Sequence, residues 1–367
     1  MAPQEKKLSA LDELIRDAIR AADGWLPFDQ FMALALYAPG LGYYSNTRQK
    51  FGQMPLGLNG GGSDFVTAPE LSPLFGRALS AQISQALAAT GNEEIWEFGA
   101  GTGALAAQLL AALGEQVRRY CIVDLSGTLR ARQTERLAAW AGKVEWLDQL
   151  PEAFEGVVIG NEVLDAMPVQ LLSFDGQQWA ERGVVIEADV LAYGDMPTDL
   201  RPPLFDTAVP GSVTEIHPQA EAFIRTLAAS LRRGAIFLID YGFPEAEYYH
   251  PQRHGGTVMC HHQHRADGNP LLLLGEKDIT AHVNFTGIAL AGQDAGLTVL
   301  GYTSQAHFLL NCGLVGLLET ASIAERAMAH KLIAEHEMGE LFKVIGFAAG
   351  EGFEAMGFAA GDRSHTL

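Results

Sequence analysis

The sequence predicts an α/β protein built on a doubly wound, Rossmann-like parallel sheet. Three observations lead there. Residues 95–103 read IWEFGAGTG, a short apolar strand that runs into glycines at alternate positions, Gly99, Gly101 and Gly103. An alanine- and leucine-rich helix follows at once, from Ala104 to Leu113, and completes the strand–turn–helix opening of a nucleotide-binding unit. A second strand, YCIVD, ends in Asp124, 21 residues after Gly103, where a carboxylate can accept both hydroxyls of a ribose. Glycine suits the turn because a Cβ would block close approach of a ligand to the backbone. The spacing G-x-G-x-G departs from the G-x-G-x-x-G of dinucleotide enzymes, whose third glycine would fall at Ala104, and so disfavours a nicotinamide cofactor.

The elements follow in order. Residues 8–21 place Leu8, Leu11, Leu14, Ile15, Ala18 and Ile19 on one helical face. A second helix is expected from Pro27 to about Tyr37, proline suiting its first turn, and PGLGYYSN then turns the chain. The glycine-rich stretch 51–65 reads as a mobile insertion. Helix resumes from Glu70 to Ala89, with Thr67 or Ser72 as cap. Strands are expected near 94–98, 119–124, 143–147, 156–160 and 234–240, and helices at 103–113, 127–141 and 217–232; their alternation argues for a parallel sheet. Residues 168–190 break that alternation: PVQLLSF and WAERGVVIEA, separated by DGQQ, read as a β-hairpin that extends over the cofactor site together with 191–212. After Gly242, the run from DITAHV to YTSQ reads as a helix and an edge strand, residues 307–350 as largely helical, and 351–367 as a frayed tail. The division expected is an N-terminal helical segment (1–90), a core (91–310) with an insertion at about 168–212, and a C-terminal helical extension (311–367).

The 367 residues are 48% hydrophobic and 19% charged, enough to bury a large core and too apolar for a disordered chain. No run of 18 uncharged apolar residues marks a membrane span. The first residues lack a secretory hydrophobic region and mix acids with bases, unlike a transit peptide, so a cytoplasmic bacterial protein is expected. A net charge of −19 repels phosphate backbones, which argues against nucleic acid and suits a basic partner. Cys121, Cys260 and Cys312 lie far apart in apolar runs, with no CxxC pattern, and read as buried reduced thiols.

An acid before G-x-G-x-G and a second at the end of the next strand resemble the class I, S-adenosylmethionine-dependent methyltransferases. Five runs sharpen the resemblance: DFVTAPELSPLFG (64–76), EFGAGTGALA (97–106), NEVLDAMPV (161–169), IDYG (239–242) and DITAHVNFT (278–286) are similar, in order, to the MidA family. The likeness covers about residues 25–310. It implies a Rossmann-like methyltransferase sheet, S-adenosyl-L-methionine as cofactor and methylation of arginine on a protein. Two other readings stay open: a small-molecule O- or N-methyltransferase, and a non-catalytic assembly factor that keeps the cofactor site.

Methyl transfer from a sulfonium asks the protein mainly for orientation and exclusion of water. A guanidinium acceptor asks for carboxylates that match its planar fork. Acids at the carboxyl ends of strands are therefore the candidates. Glu97 and the three glycines are expected at the methionine part of the cofactor, Asp124 on the ribose, and Asp148, after strand VEWL, near the adenine. Asn161 and Glu162 end strand VVIG; a helical turn there would bring Glu162 and Asp165 onto one face, as a pair of catalytic acids. The resemblance places Thr67 and Pro69 near the cofactor. Glu70 either contacts substrate or charges its helix N-terminus favourably. Asp240 and Tyr241 end the fifth strand and are expected to line the substrate side. His282 is a candidate general base or hydrogen-bond partner. Asn284 stands where relatives often carry Asp, which weakens any role for charge there. His250, His254, His261, His262 and His264 crowd one segment without zinc-like spacing, so no metal is expected, although His264 and Arg265 match the family's HR pair.

Overall fold

The strand that leads into the glycine turn lies inside a seven-stranded sheet, next to its central strand. The computed structural model describes residues 8–46, 66–124, 127–206, 208–263 and 265–367, so the segment 51–65 and His264 lie outside the described residues. The sheet contains β1 (Glu94–Phe98), β2 (Arg119–Val123), β3 (Val144–Leu147), β4 (Phe154–Asn161), β5 (Leu231–Phe243), β6 (Thr298–Ser304) and β7 (Phe342–Ala349). Its order is β6-β7-β5-β4-β1-β2-β3. All pairs are parallel except those of β7, which runs antiparallel to both β5 and β6. A two-residue strand, Val283–Asn284, adds to the end of β5. This is a class I methyltransferase sheet. It differs from the 3-2-1-4-5-6 order of dinucleotide enzymes by the antiparallel strand let in beside β5.

The apolar runs VVIG and AIFLID lie buried in the sheet, as parallel strands covered on both faces must. Every residue of β7 is buried. The expectation that 307–350 is largely helical is corrected here. Helices do occupy Gln305–Asn311, Leu314–Thr320, Ile323–Ile333 and Met338–Leu341, but FKVIGFAA is a strand. An eight-residue apolar run with Val, Ile and two Phe is the length and composition of a buried strand, and period alone does not separate it from a helix.

Helices α1 (Pro73–Thr90), α2 (Ala104–Leu113), α3 (Gly127–Arg136), α4 (Pro218–Ser230) and α5 (Phe285–Asp294) complete the alternation. The helix expected over 70–89 is broken. Residues Ala68–Leu71 form one turn, and Ser72 then turns extended (ψ 131°), as a residue before proline must. Its hydroxyl caps α1 by accepting the Leu74 N–H at 3.2 Å. The predicted helix 127–141 stops at Arg136 and gives way to a 3₁₀ turn at Ala138–Trp140.

The tail is also corrected: residues 351–367 are packed, not frayed. Phe358 is 6% exposed, and the Gly357 N–H donates to Gln82 Oε1 at 2.8 Å. The Tyr302 N–H donates to Asp362 Oδ1 at 3.0 Å, and the Arg363 N–H to the Tyr302 carbonyl at 2.7 Å. The tail thus covers the free edge of β6, which an exposed edge strand requires.

Two compact units form from interleaved stretches: Met1–Arg48, Ala166–Gln219 and Tyr249–Ala281 in one, Gln49–Asp165, Ala220–Tyr248 and His282–Leu367 in the other. The sequential division expected at about residues 90 and 310 is not the one found, because the first stretch of helices is shared between units. The seven-stranded sheet belongs to the second unit. The first holds an antiparallel sheet of Leu26–Pro27, Trp179–Glu187, Gln170–Phe174 and Val213–Ile216, with Val190–Pro197 beside Trp179–Glu187. The expected hairpin is its 170–174/179–187 pair. Helices Ala10–Ala21, opened by a Ser9–Asp12 capping box, and Phe28–Tyr37 pack their apolar faces in that unit's core. The three cysteines are buried free thiols. Among the described residues no helix is long and apolar enough to cross a membrane.

Candidate active site

The glycine turn is built as the spacing demands. Gly99, Gly101 and Gly103 all have left-handed backbones, with φ of 64°, 53° and 80°, so side chains there would be strained. Each glycine also serves a separate contact. A Cβ on Gly99 would meet Val163 Cγ2 at 2.8 Å, whereas one on Gly101 would have no neighbour within 4 Å and would project into open space beside the turn. A Cβ on Gly103 would stand 3.5 Å from Gln133 of α3 and from Leu137, which follows that helix.

Around the turn, Glu97 is 2% exposed and accepts the Tyr120 hydroxyl at 2.7 Å. Burial pushes its carboxyl up to about 7, the nearby Asp124 charge adds to the rise, and the Tyr120 bond opposes it. Asp124 Oδ2 accepts Gln133 Nε2 at 2.9 Å. Asp148 is exposed and pairs with Arg130 at 3.4 Å; Arg130 also lies over the Trp146 ring. On the TAPE run, Thr67 precedes the short helix without capping it through its side chain. The Pro69 carbonyl accepts Gln108 Nε2 at 2.7 Å. Glu70, read from sequence as a substrate contact or a helix-end charge, is engaged within the protein. It accepts the Thr102 hydroxyl of the glycine turn, and Arg136 of α3 donates to it at 2.6 Å.

The second cluster sits at the carboxyl ends of β4 and β5. The helical turn expected for NEVLDA does not form. Glu162 is left-handed instead, with φ of 55°, and its N–H donates to the Ile239 carbonyl at 2.9 Å. Residues 163–165 then wrap around the side chain of Asp240. One oxygen, Oδ2, accepts the N–H groups of Val163, Leu164 and Asp165 at 3.0, 2.8 and 3.2 Å, and Oδ1 accepts the Tyr241 N–H at 2.9 Å. Asp240 is 1% exposed; burial, then the charges of Asp165 and Glu162, push its carboxyl well above the usual range, against the pull of the backbone N–H groups. A non-glycine residue in the left-handed region, held by a loop that is itself tied down, is the kind of strain that collects at functional sites.

Side chains converge on this loop. The Tyr241 hydroxyl donates to Asp165 Oδ2 at 2.5 Å. His282 meets the Tyr241 ring edge-on at 5.1 Å and stacks on Phe243 at 5.2 Å. Asn161 donates to Glu162 Oε1 at 3.0 Å, while its own Oδ1 is buried without a hydrogen-bond partner. Asn284 caps α5 through the Gly287 N–H at 3.3 Å, a task that needs an acceptor and no charge.

Of the sequence candidates, Glu162, Asp165, Tyr241 and His282 gather at one strand-end cluster. Glu97, the glycines, Asp124 and Glu70 gather at the turn, and Gly99 touches Val163 between the two. Sequence reasoning missed Gln133, Thr102 and Arg136, which look like surface residues in GTG and RARQTER. It also gave Asp240 a place at the substrate, where the structure uses it to fold the loop.

Known proteins resemble this chain closely. The family model described as "Putative S-adenosyl-L-methionine-dependent methyltransferase" matches residues 78–303, more than half the chain. A solved Burkholderia thailandensis protein with S-adenosyl-homocysteine bound is 52% identical, with a TM-score of 0.92 over 98% of this chain and 96% of that one. A native structure from the same organism is 50% identical, with a TM-score of 0.88 over the same shares. The mitochondrial protein arginine methyltransferase NDUFAF7 homolog of Caenorhabditis elegans is 26% identical over 84% of this chain and 78% of its own length.

Proposed function

We propose that this chain, which belongs to the MidA family of S-adenosylmethionine-dependent methyltransferases, methylates an arginine side chain of a protein substrate. The observation that carries the proposal is the acidic loop at the end of β4, with Glu162 in a left-handed backbone and Asp165 bonded to Tyr241. The family's cofactor is S-adenosyl-L-methionine. The residues present suit it: Gly101 borders open space that a Cβ would enter, Asn161 Oδ1 is a buried acceptor without a partner, and two acids flank the turn.

We assign Glu97, Gly99, Gly101, Gly103 and Asn161 to the methionine part of the cofactor and Asp124 to the ribose. Asp148 belongs at the adenine edge, where its exposure leaves it only a weak contact. We keep Thr67 and Pro69 on the cofactor side, while Glu70 braces the turn through Thr102 and Arg136. Bound S-adenosylmethionine supplies a methyl group already activated on a sulfonium, so no further activation is asked of the protein. Glu162 and Asp165 take the guanidinium fork through charge-assisted hydrogen bonds and turn one nitrogen toward the methyl carbon. That nitrogen would form a C–N bond to the methyl carbon as the carbon's bond to the sulfonium sulfur breaks, S-adenosylhomocysteine would be the leaving group, and the proton shed by the nitrogen would pass to the Glu162 carboxylate. Tyr241 fixes the orientation of Asp165, and His282, packed on Tyr241 and Phe243, completes the wall of the cluster. The net charge of −19 favours a basic, arginine-bearing segment. The C. elegans relative, named a protein arginine methyltransferase, supports the same acceptor.

Quantitative mass spectrometry of arginine methylation in a strain lacking this chain, against its parent, tests the proposal. Loss of methylation at one or a few protein arginines, restored by the wild-type chain, is expected. An unchanged arginine-methyl profile would overturn it.

A further inference from the structure

Gln133 lies on α3, between the two arms of the turn cluster, and is 0% exposed. Its amide is used almost to capacity. Nε2 donates to the Gly101 carbonyl at 2.9 Å and to Asp124 Oδ2 at 2.9 Å, while Oε1 accepts the Trp146 indole N–H at 2.9 Å. An indole nitrogen can only donate, so the amide has one permitted orientation, with both of its N–H groups turned to the glycine turn and to Asp124. The missing side chain at Gly103, where a Cβ would already stand 3.5 Å from the Gln133 Cα and Cγ, lets α3 come near enough for this. One side chain therefore ties the turn after β1, the acid after β2 and the indole on β3 into a single rigid frame.

A buried polar side chain that links three strand ends is costly unless every bond is made, and apolar residues fill such places more simply. What glutamine supplies, and a hydrocarbon does not, is a fixed direction for the Asp124 carboxylate. With Oδ2 held by the amide, that carboxylate is turned toward α3. We infer that Gln133 is a positioning residue for cofactor recognition, orienting Asp124 to read the ribose hydroxyls and holding the Gly101 carbonyl so that the turn keeps its shape. The inference rests on the assignment of Asp124 to the ribose.

Isothermal titration with S-adenosylhomocysteine and with its 2′-deoxyribose counterpart tests it. The ratio of the two affinities isolates the hydroxyl contact, which a general loss of packing leaves alone. Wild type should prefer the ribose ligand by about 10- to 100-fold, the range of a hydrogen bond to a charged group. Asp124→Asn should erase most of that preference. Gln133→Met, near in volume, should also compress it, to roughly threefold or less, with Asp124→Asn adding little on top. Trp146→Phe removes the N–H that fixes the amide, together with part of the ring, while leaving Gln133 in place, and should compress the ratio partway, which keeps the inference testable if Gln133→Met does not fold. A full ribose preference in Gln133→Met or Trp146→Phe, with Asp124→Asn erasing it, overturns the inference alone. Full preference in Asp124→Asn, or none in wild type, overturns the ribose assignment and the inference with it.

Discussion

The Asp240 carboxylate accepts the backbone N–H of Leu164 at 2.8 Å, across 76 residues of sequence. With the N–H groups of Val163, Asp165 and Tyr241 also on this side chain, the loop that presents Glu162 and Asp165 is folded around a single buried acid. Removing that acceptor would leave backbone donors unsatisfied away from water.

Asp240→Asn should therefore loosen the loop while leaving the sheet intact. The amide nitrogen cannot accept, so either the Tyr241 N–H or the three loop N–H groups lose their partner. Native-state hydrogen exchange should show faster exchange of the Val163, Leu164 and Asp165 amides, with β1 and β4 unchanged. Methyl transfer should fall about tenfold or more, and unchanged exchange in the loop would contradict the role given to Asp240.

Gly101→Val should abolish binding of S-adenosylhomocysteine in a folded protein. The branched side chain would enter the open space beside the turn and sit in a left-handed backbone that valine disfavours. Calorimetry and circular dichroism on the same sample decide it. Wild-type affinity would mean that the turn is only structural.

Glu97 gives the protein a pH signature. Its carboxyl in the folded chain, at about 7, lies above the ordinary 4.5, so folding takes up a proton there. The stability this group contributes is complete below about pH 4.5 and is lost as pH rises through 7, an effect on the order of 3 kcal/mol. Gln mimics the neutral acid. The melting temperature of wild type should thus fall relative to Glu97→Gln between roughly pH 5 and 8, and a constant difference across that range would contradict the shift.

Phe358 should act as a core residue although only nine residues follow it in the sequence. Its ring packs on Phe308 at 5.4 Å and lies where Cβ atoms on Gly301 and Gly346 would stand. Phe358→Ala should cost about 3–5 kcal/mol in urea unfolding. A loss below about 1 kcal/mol would fit a loose tail instead.

What could be read from the sequence was local. The turn after β1 declared itself because three left-handed glycines, a strand and a helix are contiguous, and Asp124 followed at a fixed spacing. The order of the strands and the fate of FKVIGFAA were not legible, because β7 reaches its place by pairing between β6 and β5, the latter about a hundred residues earlier in the chain. Asp240 and Gln133 escaped for the same reason. Asp240 carries its meaning through residues 163–165, and Gln133 through Gly101 and Trp146, neither within reach of a periodicity or a motif. The local geometry at Glu162 was also not legible: the sequence suggested a helical turn, and the Asp240 carboxylate imposes a different one.

Glu162→Gln, with cofactor affinity and methyl transfer measured side by side, separates the binding of the cofactor from the chemistry of the acidic loop. Glutamine keeps the size of the side chain but loses the charge proposed to hold a guanidinium and accept its proton. Such a loss costs about 1.5–3 kcal/mol in a charge-assisted hydrogen bond. The account predicts S-adenosylhomocysteine affinity within about threefold of wild type and arginine methylation reduced roughly 10- to 100-fold, with Asp165→Asn behaving alike. Arginine methylation at the wild-type rate in both variants would contradict it.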